Sequence, residues 1–250
     1  MSDTSSPESN WFGSKPVAPS EKTRLVRGVF DRVARRYDLM NDLMSAGIHR
    51  RWKAAYIADL GPRAGERLLD VAAGTGDIAT AWHKAGGGPA TLCDINLSML
   101  SEGRDRALDR GLLSGFDWVV GNAESLPFPD CSFDVFSIAF GLRNVTHIDA
   151  ALTEARRVLK PGGRFFCLEF SRVALEPLRR IYDLYSDAVI PALGAVVARD
   201  RESYVYLVES IRRFPDQQAL TERMRRAGLE FCRYRNMSAG IAAIHRARRI

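Results

Sequence analysis

The residues with the clearest chemical potential sit close together. Asp70 interrupts an apolar run, Leu68-Leu69-Asp70-Val71-Ala72, and Gly74-Thr75-Gly76-Asp77-Ile78-Ala79 follows directly. The glycines allow a tight turn and a close approach of backbone to a ligand, and a helix starting at Asp77 would aim free N–H groups at it. The six residues from Gly74 satisfy the dinucleotide pattern G-x-G-x-x-G/A, with Asp94 at the distance expected of a ribose-binding carboxylate. Asp70 decides between ligands. A carboxylate at the end of the first strand repels a pyrophosphate and attracts an ammonium group. S-adenosylmethionine carries that ammonium, a carboxylate for the helix N-terminus and a ribose for Asp94. The acidic strand end therefore favours the methyl donor over NAD, with Asp70, Gly74, Gly76 and Asp94 as cofactor-binding residues.

The elements that must position these groups alternate regularly. Apolar runs at 68–72, 90–93, 116–120, 134–140 and 164–170 read as strands, and helical patterns separate them. Gly86-Gly87-Gly88 ends the first of these helices. Ile148, Leu152, Ala155 and Leu159 give a later one its buried stripe, and Pro161-Gly162-Gly163 is expected to stop it. Such βα alternation implies a parallel sheet covered on both faces, with ligands at the carboxyl ends of its strands. After a last helix marked by Leu220, Met224 and Ala227, segments 230–237 and 241–246 read as an antiparallel strand pair. Residues 1–20, rich in Ser, Pro and acidic side chains, are expected to form a disordered leader, with Trp11-Phe12 its one docking element. Residues 21–250 form a single domain, in which 21–60 is a helical lid and 171–214 a helical insertion on the substrate side.

Composition narrows the class further. At 250 residues the chain can bury a sizeable core, and 46% apolar with 26% charged residues is ordinary for a globular protein. The four cysteines show no metal or C-x-x-C spacing, and the three in or beside predicted strands read as buried thiols of a reducing compartment. No apolar run approaches the ~20 residues of a membrane helix. The expected location is cytoplasmic, at most peripheral to the inner face of a membrane. A net charge of +6 comes from arginines crowded into the C-terminal third. A nucleic-acid-binding protein or an RNA methyltransferase is the alternative that this excess raises, but its arginines are scattered over helices rather than interleaved with aromatics on one face.

Four further motifs occur in order: Tyr37-Asp38-Leu39-Met40-Asn41-Asp42, Gly47-Ile48-His49-Arg50, Phe140-Gly141-Leu142-Arg143-Asn144-Val145 and Leu168-Glu169-Phe170-Ser171. From about Val29 onward the chain resembles the UbiE/COQ5 family of class I methyltransferases. That resemblance implies a Rossmann-like α/β fold, with a mainly parallel seven-stranded sheet and an antiparallel C-terminal pair. It also implies C-methylation of a polyprenylated quinol ring in ubiquinone biosynthesis, and of demethylmenaquinol in many bacteria. Cofactor contacts by the same resemblance are Thr75, Asp94, Asn122 and Ala123. The chain departs from many relatives at Ala73, where they carry glycine, and at Ala139, where a serine often contributes to the cofactor site.

Carbon methylation needs an electron-rich ring, and ionising a phenol of pKa ~10 at neutral pH costs about 4 kcal/mol. A fixed cation at Arg143 could hold the developing oxyanion, with Asn144 orienting it or holding a water. His49 and Tyr37 are the candidate bases. The polyprenyl tail needs an apolar path, for which Tyr182 and Tyr185 in the insertion are the candidate substrate contacts. Peripheral membrane association and membership of a quinone-biosynthesis complex are compatible with this reading. A nucleic-acid partner is not expected.

Overall fold

The computed structural model describes residues 11–12, 15–33, 47–112, 114–173 and 201–250. Tyr37, Tyr182 and Tyr185 lie outside the described residues. The sheet contains β1 (Leu68–Val71), β2 (Ala90–Asp94), β3 (Phe116–Val120), β4 (Phe133–Ala139), β5 (Leu159–Phe170), β6 (Glu230–Met237) and β7 (Ala242–Arg248). Its spatial order is β3-β2-β1-β4-β5-β7-β6. The first five strands pair in parallel, and β7 runs antiparallel between β5 and β6. The expected sheet, including its antiparallel C-terminal pair, is thus present.

The central strands are buried on both faces, so their sequences read as apolar runs rather than alternations. All four residues of β1 are buried. Leu68 faces a core layer with Trp52, Tyr56 and Leu60 of α2 (His49–Leu60) and Ile78 and Trp82 of α3 (Asp77–Lys84). Leu69 and Val71 face the opposite layer, filled by Leu152 and Ala155 of α5 (Ile148–Val158) and Leu220 and Met224 of α7 (Gln217–Arg226). Two boundaries were sharpened by packing. Helix α5 ends at Val158, and Leu159 is extended and wholly buried as the first residue of β5. Pro161-Gly162-Gly163 therefore lies inside the strand, where Gly162 and Gly163 exchange backbone hydrogen bonds with Arg249, rather than stopping the helix.

The remaining helices are α1 (Pro19–Val33), α4 (Leu97–Asp109) and α6 (Arg201–Arg213). Trp11–Phe12 pairs with Lys15–Pro16, and the Arg213 guanidinium lies 4.0 Å from the Trp11 ring centroid. Much of the arginine excess has a structural use. Arg249 donates to the carbonyls of Arg156, Arg157 and Leu159, closing the end of α5. Arg164, Arg223, Arg225 and Arg235 pair with Glu66, Asp149, Glu222 and Asp59. No described helix is long and apolar enough to cross a membrane.

Candidate active site

The chain leaves β1 toward β2 on one side and later returns to β4 on the other, so a crevice opens between the ends of β1 and β4. Asp70 of β1 stands directly beside Ser137 of β4. The residues just past these strands, Ala72 and Phe140, both have left-handed φ, at 51° and 55°. Such conformations cost about 1–3 kcal/mol each and turn the two loops apart to form the cleft wall. Gly141 fits between them only because it lacks a side chain: a Cβ there would lie 2.3 Å from the Ala72 Cβ. The resulting cleft is lined by Gly74, Asp94, Asn96, Met99, Asn122, Ala123, Phe140, Gly141 and Asn144, with Thr23, Val26 and Arg27 of α1 across its mouth.

Asp94 is the best-held group in the cleft. One carboxylate oxygen accepts from the Gly74 backbone N–H at 2.8 Å and the other from the Asn96 N–H at 2.8 Å. Each oxygen keeps a lone pair for a further donor. Burial raises the Asp94 pKa, and the backbone bonds to Asn96, Gly74 and Ile95 oppose that rise. The glycine loop is held from behind. A Cβ on Gly76 would lie 2.7 Å from Leu92, and one on Gly103 of α4 would lie 2.8 Å from the Thr75 backbone.

A smaller hollow beside the cleft is lined by Lys53, Asp70, Thr75, Asp77 and Ala139. Burial pushes the Asp70 carboxyl up to about 7, with the Ser137 hydroxyl and the Ala79 N–H offsetting part of the cost. Among the described residues nothing donates to its Oδ2. Lys53 Nζ reaches Asp77 Oδ2 at 2.6 Å and holds that carboxyl below its usual range against the opposing cost of burial. An orphaned buried carboxylate oxygen, a lysine and a pinned ribose-type acceptor around one glycine loop match the ammonium, carboxylate and sugar of S-adenosylmethionine.

The acceptor side differs from the sequence expectation in its partners. Arg143 is buried, outside the residues lining the cleft, and its Nη1 lies 3.2 and 3.3 Å from the two oxygens of Glu169. The same group also donates to the Phe140 carbonyl, and the guanidinium carbon sits 5.6 Å from the Phe170 ring centroid. Glu169 accepts in addition from the backbone N–H groups of Arg143 and Phe170. Asn144 does line the cleft, and its Oδ1 accepts from the Tyr206 hydroxyl at 3.0 Å. His49 is 4% exposed at the start of α2 and lines neither hollow. Asn122 and Ala123 line the cleft, and the Asn122 Oδ1 accepts from the Glu124 N–H in a tight turn. Thr75 and Ala139 face the smaller hollow.

Sequence reasoning gave no role to Lys53, Gly103, Tyr206 or Glu169, the last seen only as part of a motif. Gly103 carried a signal, since glycine inside a helical pattern usually marks close packing. Glu169, like Asp70, is a carboxylate inside an apolar strand. Tyr206 belongs to the apolar stripe of the 171–214 insertion, and nothing in that stripe points to a hydrogen bond with Asn144.

The fold and this cleft define a class I S-adenosylmethionine-dependent methyltransferase. Solved structures share the architecture: a SAM-dependent methyltransferase from Thermotoga maritima superposes with a TM-score of 0.63 at 20% identity, covering 89% of this chain and 99% of that one. The cyclase SpnF superposes at 0.61 with 21% identity over 80% of each chain, so the fold alone does not set the reaction. The chain belongs to the ubiE/COQ5 methyltransferase family, whose model matches residues 17–249. It is 56% identical over 245 residues to the ubiquinone/menaquinone biosynthesis C-methyltransferase UbiE of Acidiphilium cryptum, covering 98% of both chains. To the protein of that name from Cereibacter sphaeroides it is 53% identical over 246 residues, again 98% of both.

Proposed function

We propose that this protein moves the methyl group of S-adenosylmethionine to a ring carbon of a polyprenylated benzoquinol in ubiquinone biosynthesis, and of demethylmenaquinol in menaquinone biosynthesis. The single observation that carries the reading is the near full-length identity to relatives bearing both activities in their name. When bound, the cofactor supplies a methyl already activated on a sulfonium. This chain's residues then have two tasks, to hold the donor and to favour the electron-rich form of the ring.

For the first, Asp94 would take the ribose hydroxyls, the orphaned Asp70 oxygen the ammonium and Lys53 the carboxylate. Asn122 and Ala123 would frame the adenine, with Gly74 and Gly76 keeping the backbone close. For the second, a hydrogen-bond donor in the cleft must meet the ring oxygen as it loses its proton, and alignment with the methyl supplies much of the remaining rate. Arg143, Asn144, His49 and Tyr37 stay the candidates for oxyanion support and base, with Arg143 acting through its neighbours. The prenyl tail would leave past Tyr182 and Tyr185 toward a membrane to which the protein binds peripherally, as part of a quinone-biosynthesis complex or alone.

The test is direct. Purified protein with S-adenosylmethionine and each demethylated quinol should yield the methylated ring, and cells lacking the protein should accumulate the unmethylated precursor. Methylation of RNA with no product from either quinol would overturn the reading.

A further inference from the structure

Asn144 is the polar side chain on the acceptor wall, and which end of its amide faces the cleft decides what it can do. An amide oxygen turned inward would repel a ring oxygen gaining negative charge. An amide nitrogen turned inward would donate to it.

The Tyr206 hydroxyl meets the oxygen end. Tyr206 is 5% exposed, packs with Val26 and Val29 of α1, and donates to Asn144 Oδ1 at 3.0 Å. The amide oxygen is thereby claimed by α6, and no described residue accepts from Nδ2. The neighbouring cation lies behind the cleft wall rather than in it: Arg143 Nη1 faces both oxygens of Glu169, and its buried Nε has no partner among the described residues. We infer that Tyr206 is a positioning residue, holding the Asn144 amide so that its N–H donors, rather than the Arg143 guanidinium, meet the ring oxygen of the acceptor. The inference rests on the quinol reading and makes α6 part of the acceptor site. Because α1 lines the cleft mouth and packs on Tyr206, the same contact links the mouth to the oxyanion donor.

Tyr206→Phe keeps the ring and removes only the hydroxyl. It should lower kcat about tenfold or more while leaving S-adenosylmethionine affinity by calorimetry unchanged. The deficit should shrink as pH rises toward the range where the free quinol ionises, because an already ionised ring needs less help. A chromophoric nitrophenol bound in the cleft gives a readout separate from turnover. Wild type should lower its pKa, and Tyr206→Phe should return it toward the free value. Asn144→Asp still accepts from Tyr206 but turns a carboxylate oxygen inward, so it should raise that pKa above the free value. Wild-type kcat in Tyr206→Phe, a deficit independent of pH, or an unchanged phenol pKa in Asn144→Asp would each overturn the inference. A wild-type protein that methylates no quinol would instead overturn the function on which it rests.

Discussion

Two buried carboxylates near the ends of parallel strands, Asp94 on β2 and Glu169 on β5, have opposite fates. Both are raised in pKa by burial. Asp94 is held chiefly by backbone N–H groups, with the Arg27 cation only a smaller influence, and lines the cleft. Glu169 faces a guanidinium 26 residues away, and the charges of both are spent on each other behind the cleft wall. A carboxylate neutralised by dipoles remains a receptor, whereas one neutralised by a cation becomes an anchor.

The comparison breaks most visibly at the anchor. Glu169→Ala leaves the Arg143 charge buried and unpaired, and should cost about 3–5 kcal/mol in chemical denaturation. A loss below 1 kcal/mol would mean that the pair is not buried as described. Asp94→Ala should act mainly on binding, weakening S-adenosylmethionine by about 1.5–3 kcal/mol in calorimetry. It should also loosen the loop, since two backbone N–H groups lose their acceptor.

A subtler test concerns the wall between the two carboxylates. Gly141→Ala should destabilise by about 1–3 kcal/mol through its clash with Ala72. Ala72→Gly should then restore much of the loss in the double variant, both by making room and by relieving a left-handed alanine. Additive effects of the two changes would contradict the close approach of these loops.

The smallest expected effect is a pH dependence at Asp70. Its folded pKa, about 7, lies above the unfolded 3.8, so the fold favours the neutral acid. Its stability contribution is full below pH 4 and is lost as pH rises to about 7. Donor binding runs the other way, because an ammonium needs the carboxylate. Affinity should rise by about fivefold between pH 6 and 7 and stay flat in Asp70→Asn. An unchanged slope in that variant would move the ammonium site elsewhere.

The same contrast explains what the sequence disclosed. The donor side is built from local relations: a strand, two glycines and a carboxylate twenty residues on. Periodicity and spacing therefore located Asp70, Gly74, Gly76 and Asp94, and the βα alternation gave the sheet. The acceptor side depends on contacts across the chain, 26 residues for Arg143 with Glu169 and 62 for Asn144 with Tyr206. No local pattern encodes those. Arg143 looked like a free cation because its neutralising partner sits on another strand, and Leu159 looked helical because burial is common to both periods. The glycine at 141 was visible as part of a motif, but its reason is a methyl group on a different loop.

The insertion of β7 between β5 and β6 has a consequence for synthesis. Strand β6 leaves the ribosome before the strand that joins it to the sheet, since Phe170 pairs with Ala242, far downstream. The parallel strands that carry the glycine loop can assemble without either of the last two strands, and β6 joins the sheet only through β7. Any form of the chain in which β7 is displaced therefore bares the edges of both β5 and β6 at once, two unpaired strand edges open to other chains.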